Sequence, residues 1–141
     1  MELKRVVVTG LGAITPLGHN VADTWAAVVD GVSGAGPITR FDASLFKTQF
    51  ACEVKDFDPS LYFDRKEARK YDRYAQYAVI AAKEGVEDSG LDLEKVNKNR
   101  VGVIFAAGIG GIRTFEEEVG GFYLNEDKGP RFNPFFIPKM I

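Results

Sequence analysis

Two short runs of consecutive apolar residues, each followed by a glycine-rich turn, place the strongest constraint on how this 141-residue chain folds. The first run covers residues 5–9 (RVVVT) and the second covers residues 101–106 (VGVIFA). Apolar side chains at consecutive positions point to both faces of a strand, and such strands are typical of a parallel sheet covered on each side. We therefore expect both runs to form buried strands.

A helix is predicted soon after the first run. Asn20 is a residue type that caps helices, residues 21–30 have helical spacing, and Gly31 follows as a stop. The apolar residues that share one face of this helix, and that we expect to point inward, are Trp25, Val28 and Val29.

The rest of the chain continues this alternation of strands and helices. Residues 50–54 alternate in polarity as a short strand does, residues 72–89 carry the clearest helical periodicity, and residues 112–119 are predicted to be helical. Residues 120–141 contain three prolines and are predicted to be a loop. Strands separated by helices predict an α/β fold.

Composition argues against several classes of function. The net charge is −2, which gives no bulk attraction to nucleic acid or to an anionic membrane, and no apolar run approaches the ~20 residues of a membrane span. The single cysteine, Cys52, is expected to be a small buried hydrophobe in a reducing, cytoplasmic environment. The single histidine, His19, is expected to be solvent-facing or to cap a helix, so no metal site is predicted.

The turn Gly10-Leu11-Gly12 invites comparison with a nucleotide-binding loop. A dinucleotide fingerprint needs a third small residue and a helix that begins at the turn. Thr15 stands where that small residue would be, and Pro16 keeps Thr15 out of helical backbone angles, so no helix start is available for a phosphate. We therefore predict that the turn is scaffold, and a nucleotide-binding α/β module is the weaker alternative.

Seven short motifs, in order along the chain, carry a resemblance to a known family. They are residues 5–18 (RVVVTGLGAITPLG), 40–42 (RFD), 64–72 (DRKEARKYD), 88–91 (DSGL), 100–103 (RVGV), 108–111 (GIGG) and 133–138 (NPFFIP). The ordered set covers essentially the whole chain and resembles the elongating β-ketoacyl-acyl carrier protein synthases of type II, which are condensing enzymes of fatty-acid synthesis.

The resemblance implies a thiolase-like fold, in which a mixed five-stranded sheet is layered between helices, and a homodimer without cofactors. Residues 1–141 would be the N-terminal half of that fold, truncated before the catalytic cysteine, so no catalytic residue lies in this chain and the segment alone is expected to be inactive. The implied activity of the full-length protein is decarboxylative Claisen condensation of an acyl thioester with malonyl-acyl carrier protein. The alternatives are a ketosynthase-like chain-length subunit without a nucleophile, a thiolase and a priming synthase.

A basic segment lies between residues 65 and 73. Four of its cations stand at steps of three, one and three, which places them on one face if the segment is helical. From the residues alone, a solvated helix face with local salt bridges is the favoured interpretation. The resemblance instead implies that the segment docks the acidic acyl carrier protein. The docking residues implied are Lys66, Arg69 and Lys70, with Arg131 as a neighbouring basic position, whereas Arg73 is supported by spacing alone.

Two apolar residues complete the predicted site. Ile109 lies between glycines after the second apolar run, and Phe136 lies in the motif at residues 133–138. From the residues alone, Ile109 is an ordinary turn-packing side chain. The resemblance implies that Ile109 lines the floor of an acyl-chain pocket and that Phe136 reaches across the dimer into the partner's pocket. The apolar character of both residues suits contact with an alkyl chain.

Overall fold

The computed structural model describes residues 3–141, and of residue 126 it describes the backbone alone. Helices dominate the secondary structure, and the helices predicted within residues 21–30, 72–89 and 112–119 are confirmed. The α-helices are α1 (Val21–Val29), α2 (Arg65–Ala68), α3 (Arg73–Asp88), α4 (Ile112–Leu124) and α5 (Phe136–Met140); the strands are β1 (Gly36–Pro37) and β2 (Phe50–Ala51); and 3₁₀ turns cover Pro59–Leu61, Lys98–Arg100 and Glu126–Lys128.

The chain forms two compact units. The first contains residues up to 57 together with residues 80–98, and the second contains residues 58–79 together with residues 99–141. Helix α3 therefore contributes its N-terminal part to the second unit and its C-terminal part to the first. The buried side chains are Ala43, Phe57 and Ile80 in the first unit, and Phe63, Gln76 and Thr114 in the second.

Helix α1 begins as the sequence predicts but is rotated from the expected orientation. The Asn20 side chain accepts a hydrogen bond from the backbone N–H of Asp23 at 2.7 Å, which confirms the predicted cap. The predicted inward face is wrong. Its side chains are 49% to 67% exposed: Trp25, Val28 and Val29. A partly polar face turns inward instead, where the hydroxyl oxygens of Thr24 and Thr15 lie 3.0 Å apart, and such a contact is invisible to apolar spacing.

Neither apolar run forms a strand in the structure. Their exposed fractions reach 89%, 83% and 97% at Val6, Val103 and Ile104. The prediction that residues 5–9 and 101–106 are buried strands is therefore wrong. A buried strand needs a ladder partner and a covering layer on each face, and the described residues supply neither to these two runs.

The sheet in the described part of the chain has two strands. Strands β1 and β2 pair antiparallel, with Gly36 opposite Ala51 and Pro37 opposite Phe50. The strand predicted at residues 50–54 is confirmed at its first two residues. The five-stranded sheet that the resemblance implies is not formed by residues 3–141.

The predicted loop at residues 120–141 is wrong in two places. Helix α4 continues through Gly120 and Gly121, although each glycine costs a helix about 1 kcal/mol relative to alanine. Helix α5 contains Pro138 in its first turn, where a backbone N–H has no partner inside the helix and its absence costs no hydrogen bond. The glycines and the proline therefore lie at helix positions where their destabilising effect is small or is offset by packing.

Aromatic packing in the second unit supplies that offset. The Phe132 ring stacks on Phe122 of α4 and on Phe136 of α5, with ring centroids 5.6 Å apart in both pairs. Phe115 of α4 lies 6.3 Å from the Phe136 ring. Each such ring pair contributes about 0.5–1.5 kcal/mol, which is comparable with the cost of one helix glycine. The two helices are thus joined by apolar contacts that single-residue propensities do not reveal.

Candidate functional site

Two backbone N–H groups of the glycine-rich turn at residues 10–13 are bonded to carboxylates and are therefore not available to a phosphate. In the first unit, the N–H of Leu11 donates to Asp88 Oδ2 at 2.8 Å, and the N–H of Ala13 donates to Glu84 Oε2 at 2.9 Å. The other carboxylate oxygen of Glu84 accepts from the N–H of Val21 at 2.8 Å. These carboxylates fill the donors and carry the same charge sign as a phosphate, so the structure supports the predicted exclusion of a nucleotide site.

The glycines of this turn are required by close backbone packing. A Cβ atom on Gly10 would collide with the carbonyl oxygen of Gly85, and a Cβ atom on Gly12 would collide with that of Ala81. Both carbonyls belong to helix α3. The two glycines therefore let the chain approach a helix, which is a packing role rather than a ligand-binding one.

The basic segment is not one continuous helix. Asp64 caps helix α2 by accepting from the N–H groups of Lys66 and Glu67 at 2.7 and 2.8 Å, and α2 ends at Ala68 after a single turn. Helix α3 begins anew at Arg73. The prediction that the cations share one helix face is therefore wrong, because the chain turns between two helices within this segment.

The cations of the segment are nevertheless available to a partner. All four at residues 65–70 are exposed, and within residues 3–141 none of them forms a salt bridge: Arg65, Lys66, Arg69 and Lys70. The local salt bridges that the residues alone favour are therefore absent at these four cations in the described part of the chain. A local concentration of unneutralised positive charge on a net-negative chain creates a field that attracts an acidic partner.

Arg131 lies at a separate cleft of the second unit. The side chain is exposed, and the cleft has a volume of about 340 Å³. Its lining residues are Glu117, Glu118, Gly121, Phe122, Asn125, Lys128, Gly129 and Arg131. Glu118 accepts from the backbone N–H of Asn133 at 2.8 Å. Glu117 accepts from Arg113 at 2.7 Å, and this hydrogen bond raises the pKa of Arg113 above its usual value.

Ile109 lies in a turn that contacts helix α5, the helix that carries Phe136. Gly110 has a φ of +73°, and a Cβ atom there would collide with the carbonyl oxygen of Met140. The N–H of Gly111 donates to that same carbonyl at 3.0 Å. The Ile109 side chain is 73% exposed and Phe136 is half-buried, so the described residues enclose no pocket around Ile109.

A buried polar contact ties this turn to the start of helix α3. Thr114, which is 3% exposed, donates its hydroxyl to Asp72 Oδ2, and Asp72 Oδ1 accepts from the N–H of Tyr74 at 3.4 Å. Asp72 directly precedes helix α3, and Thr114 lies in the first turn of α4. Neither residue is predicted from the sequence, because a single threonine in a helix carries no signal of its partner.

The single histidine and the single cysteine of the chain have no catalytic arrangement in the first unit. His19 Nε2 bonds the carbonyl oxygen of Lys55 at 2.7 Å, and its ring packs edge-on to Phe57. Cys52 is exposed, so the prediction of a buried thiol is wrong: strand β2 ends at Ala51 and leaves the next side chain uncovered. No group of three or more potential metal ligands occurs among the described residues, and no helix in that part is long and apolar enough to cross a membrane.

The chain is similar to known proteins over its whole length. Residues 3–141 match the family model described as "Beta-ketoacyl synthase, N-terminal domain". The chain is 49% identical over 142 aligned positions to the 3-oxoacyl-[acyl-carrier-protein] synthase 2 of Coxiella burnetii, and 46% identical to that of Synechocystis sp.. These alignments cover all of this chain but 34% and 33% of the relatives, so the chain spans about a third of their length.

Solved structures show the same likeness. "The ishigamide ketosynthase/chain length factor" matches with a TM-score of 0.81 and 30% identity, over 96% of this chain and 33% of that one. A "type II PKS acyl-carrier protein in complex with its ketosynthase bound to the hexaketide" matches with a TM-score of 0.74 and 29% identity, over 99% of this chain and 35% of that one. The predicted fold class, part of a thiolase-like α/β fold, is confirmed by these neighbours.

Proposed function

Because this chain belongs to the family of β-ketoacyl synthase N-terminal domains, we propose that it is part of an acyltransferase that elongates fatty-acid chains. The observation that carries this proposal is the identity of 45–49% over essentially the whole chain to relatives named 3-oxoacyl-[acyl-carrier-protein] synthase 2. The full-length protein then extends this chain to about three times its length, as in those relatives.

The proposed reaction is a decarboxylative Claisen condensation. An acyl group moves from its carrier to a cysteine thiolate, malonyl-acyl carrier protein loses carbon dioxide, and the resulting carbanion attacks the acyl thioester and releases the thiolate. This chemistry needs an activated thiolate, donors aimed at the developing negative charge and a site that excludes water. We assign no catalytic residue to this chain and place the nucleophile in the remainder of the polypeptide.

This chain contributes a docking segment, residues 65–70, to the proposed enzyme. Its docking residues are Lys66, Arg69 and Lys70, and Arg131, at the cleft described above, is proposed as a further basic position. The exposed cations of the segment, which form no salt bridge within the described residues, support this role, since an acyl carrier protein is acidic. A further support is the neighbouring structure whose ketosynthase is in complex with its acyl-carrier protein.

The chain also contributes apolar surface for the acyl group. Ile109 is proposed to contact the alkyl chain, and Phe136 is proposed to do so across a homodimer in the cytoplasm. The contact of the Ile109 turn with helix α5 through Gly111 and Met140 supports a shared role. The exposure of Ile109 is in keeping with a wall whose other side is formed elsewhere in the assembly.

A non-catalytic chain-length subunit is the second candidate. The observation that favours it is the likeness at a TM-score of 0.81 to a structure described as a ketosynthase/chain length factor. Such a subunit binds a ketosynthase and shapes its pocket without forming a covalent acyl intermediate.

One experiment separates the two candidates. The full-length protein is purified alone and given acyl-acyl carrier protein and malonyl-acyl carrier protein. Release of carbon dioxide in step with 3-oxoacyl product, together with an acyl group trapped on a cysteine, is the expected result. Absence of both with the protein alone, and their appearance once a separate ketosynthase is added, would support the chain-length subunit instead.

A further inference from the structure

The backbone between helices α2 and α3 carries two of the proposed docking cations, Arg69 and Lys70. Helix α2 has a single turn and packs against the 3₁₀ turn Pro59–Leu61. A one-turn helix has no independent stability in water, because nucleation is costly and few hydrogen bonds repay it. The positions of the two cations must therefore be fixed by contacts from other parts of the second unit.

Gln76 supplies such a contact from inside helix α3. Its side chain is 7% exposed, and its amide nitrogen donates to the carbonyl oxygen of Ala68 at 3.0 Å, with a longer contact of 3.5 Å to that of Tyr71. Both neighbours are acceptors, so the amide nitrogen, which has two donors, must face them. Ala68 directly precedes Arg69 and Tyr71 directly follows Lys70. One side chain thus holds the backbone on both sides of the two cations.

A buried amide at this position needs an explanation. Burial of an unpaired amide destabilises a protein, and an apolar side chain of similar length, such as methionine, would fill the same space. What methionine lacks is a donor for the Ala68 carbonyl, which lies at the C-terminal end of α2 where helix carbonyls have no internal partner. The amide therefore serves the conformation of the segment.

We propose that Gln76 is a positioning residue for carrier docking: its amide fixes the backbone that presents Arg69 and Lys70, and it touches no substrate. This inference rests on the docking function proposed above. Loss of the amide keeps both cations but lets their positions vary. Binding of the carrier is therefore weakened, whereas the chemical step is unchanged.

The test uses the full-length protein with Gln76→Met. We expect the KM for acyl-acyl carrier protein to rise about fivefold, with kcat and the activity on a small acyl thioester that needs no docking changed by less than about twofold. Gln49→Met is the matched control, because the Gln49 amide also donates to two backbone carbonyls, those of Ser44 and Phe46, in a loop of the first unit. The control is expected to leave the KM unchanged.

A double-mutant cycle separates the failure of this inference from failure of the docking proposal. If Arg69→Ala with Lys70→Ala leaves the KM for the carrier unchanged, the docking function itself is wrong. If that pair raises the KM, Gln76→Met is expected to cause no further rise in the KM when it is combined with the pair. If Gln76→Met raises the KM equally in the wild-type protein and in the Arg69→Ala and Lys70→Ala protein, its role is purely structural. A loss of activity on the small thioester would show the same. Should Gln76→Met fail to fold, Gln76→Leu, which also lacks the donors and places no charge in the buried site, is judged by the same outcomes.

Discussion

The glycine-rich turn of residues 10–13 and the basic segment of residues 65–70 both resemble, in the sequence, sites for a charged partner, yet they differ in what is left available. In the turn, the N–H groups of Leu11 and Ala13 are bonded to carboxylates of the same unit. In the segment, the four cations are exposed and form no salt bridge within the described residues. Residue type alone therefore does not decide whether a charged partner can bind: the turn has internal partners for these donors, whereas the segment leaves its cations exposed.

Helix α3 supplies the side chains that produce this difference. Glu84 and Asp88, four residues apart, occupy the donors of the turn, whereas Gln76 holds the backbone of the segment and leaves its cations free. The row at steps of four that contains these residues also contains the buried Ile80. Polar side chains of α3 therefore have a structural role at both places.

The largest expected effect is on the turn. Gly12→Ala is expected to lower the free energy of unfolding of the full-length protein by about 3 kcal/mol, because the new Cβ atom would collide with the backbone of Ala81. Urea unfolding measures it. Gly120→Ala is the matched control, since a Cβ atom there meets nothing within 4 Å and removal of a helix glycine stabilises by about 0.5–1 kcal/mol. Equal effects of the two variants would refute the close packing of the turn.

The next effect concerns the segment. Lys66→Glu with Arg69→Glu is expected to raise the KM for acyl-acyl carrier protein about 30-fold at low salt, since two attractive charges become repulsive. The effect is expected to shrink at high salt, where exposed charges are screened. Steady-state kinetics at two salt concentrations measure it. Lys47→Glu with Lys83→Glu, an equal charge change at exposed lysines outside the segment, is the control, and a similar loss in that variant would argue against a local docking site.

The smallest effect concerns the hydrogen bonds between the turn and the Glu84 carboxylate. Glu84→Ala removes the acceptor of two backbone N–H groups, those of Ala13 and Val21, and is expected to lower the free energy of unfolding by about 1–2 kcal/mol. Glu87→Ala, at an exposed position of the same helix, is expected to have almost no effect. The difference between the melting temperatures of the Glu84→Ala and Glu87→Ala variants measures this loss of stability. No difference would mean that the turn does not depend on the carboxylate.

The sequence predicts the helices of this chain well and its burial poorly. Caps and periodicity are local signals, so α1, α3 and α4 were predicted within a few residues of their starts. The contacts that Gln76, Glu84 and Asp88 of α3 make escaped prediction because these residues are polar, and apolar spacing carries no signal of a polar contact. The two apolar runs became exposed because burial depends on partners distant in sequence or outside residues 3–141, which no local pattern specifies.

In the candidate site, too, the local features are predicted from the sequence and the contacts between distant residues are not. Lys66, Arg69 and Lys70 were found by charge and resemblance, but the helical face assumed for them is broken after Ala68. The hydrogen bond between Asp72 and Thr114 joins residues 42 positions apart. A contact of that separation requires the three-dimensional structure, since neither residue type is unusual where it stands.

A charge swap tests whether residues 65–70 dock an acidic carrier. The dissociation constant between the full-length protein and acyl carrier protein is measured for Lys66→Glu with Arg69→Glu, first against the natural carrier and then against carriers whose acidic residues are changed one or two at a time to lysine. The predicted result is that one such carrier restores affinity for the Lys66→Glu and Arg69→Glu protein. The Lys47→Glu and Lys83→Glu control is expected to show no such recovery. Equal affinity of the natural carrier for the wild-type and the reversed proteins would contradict the claim.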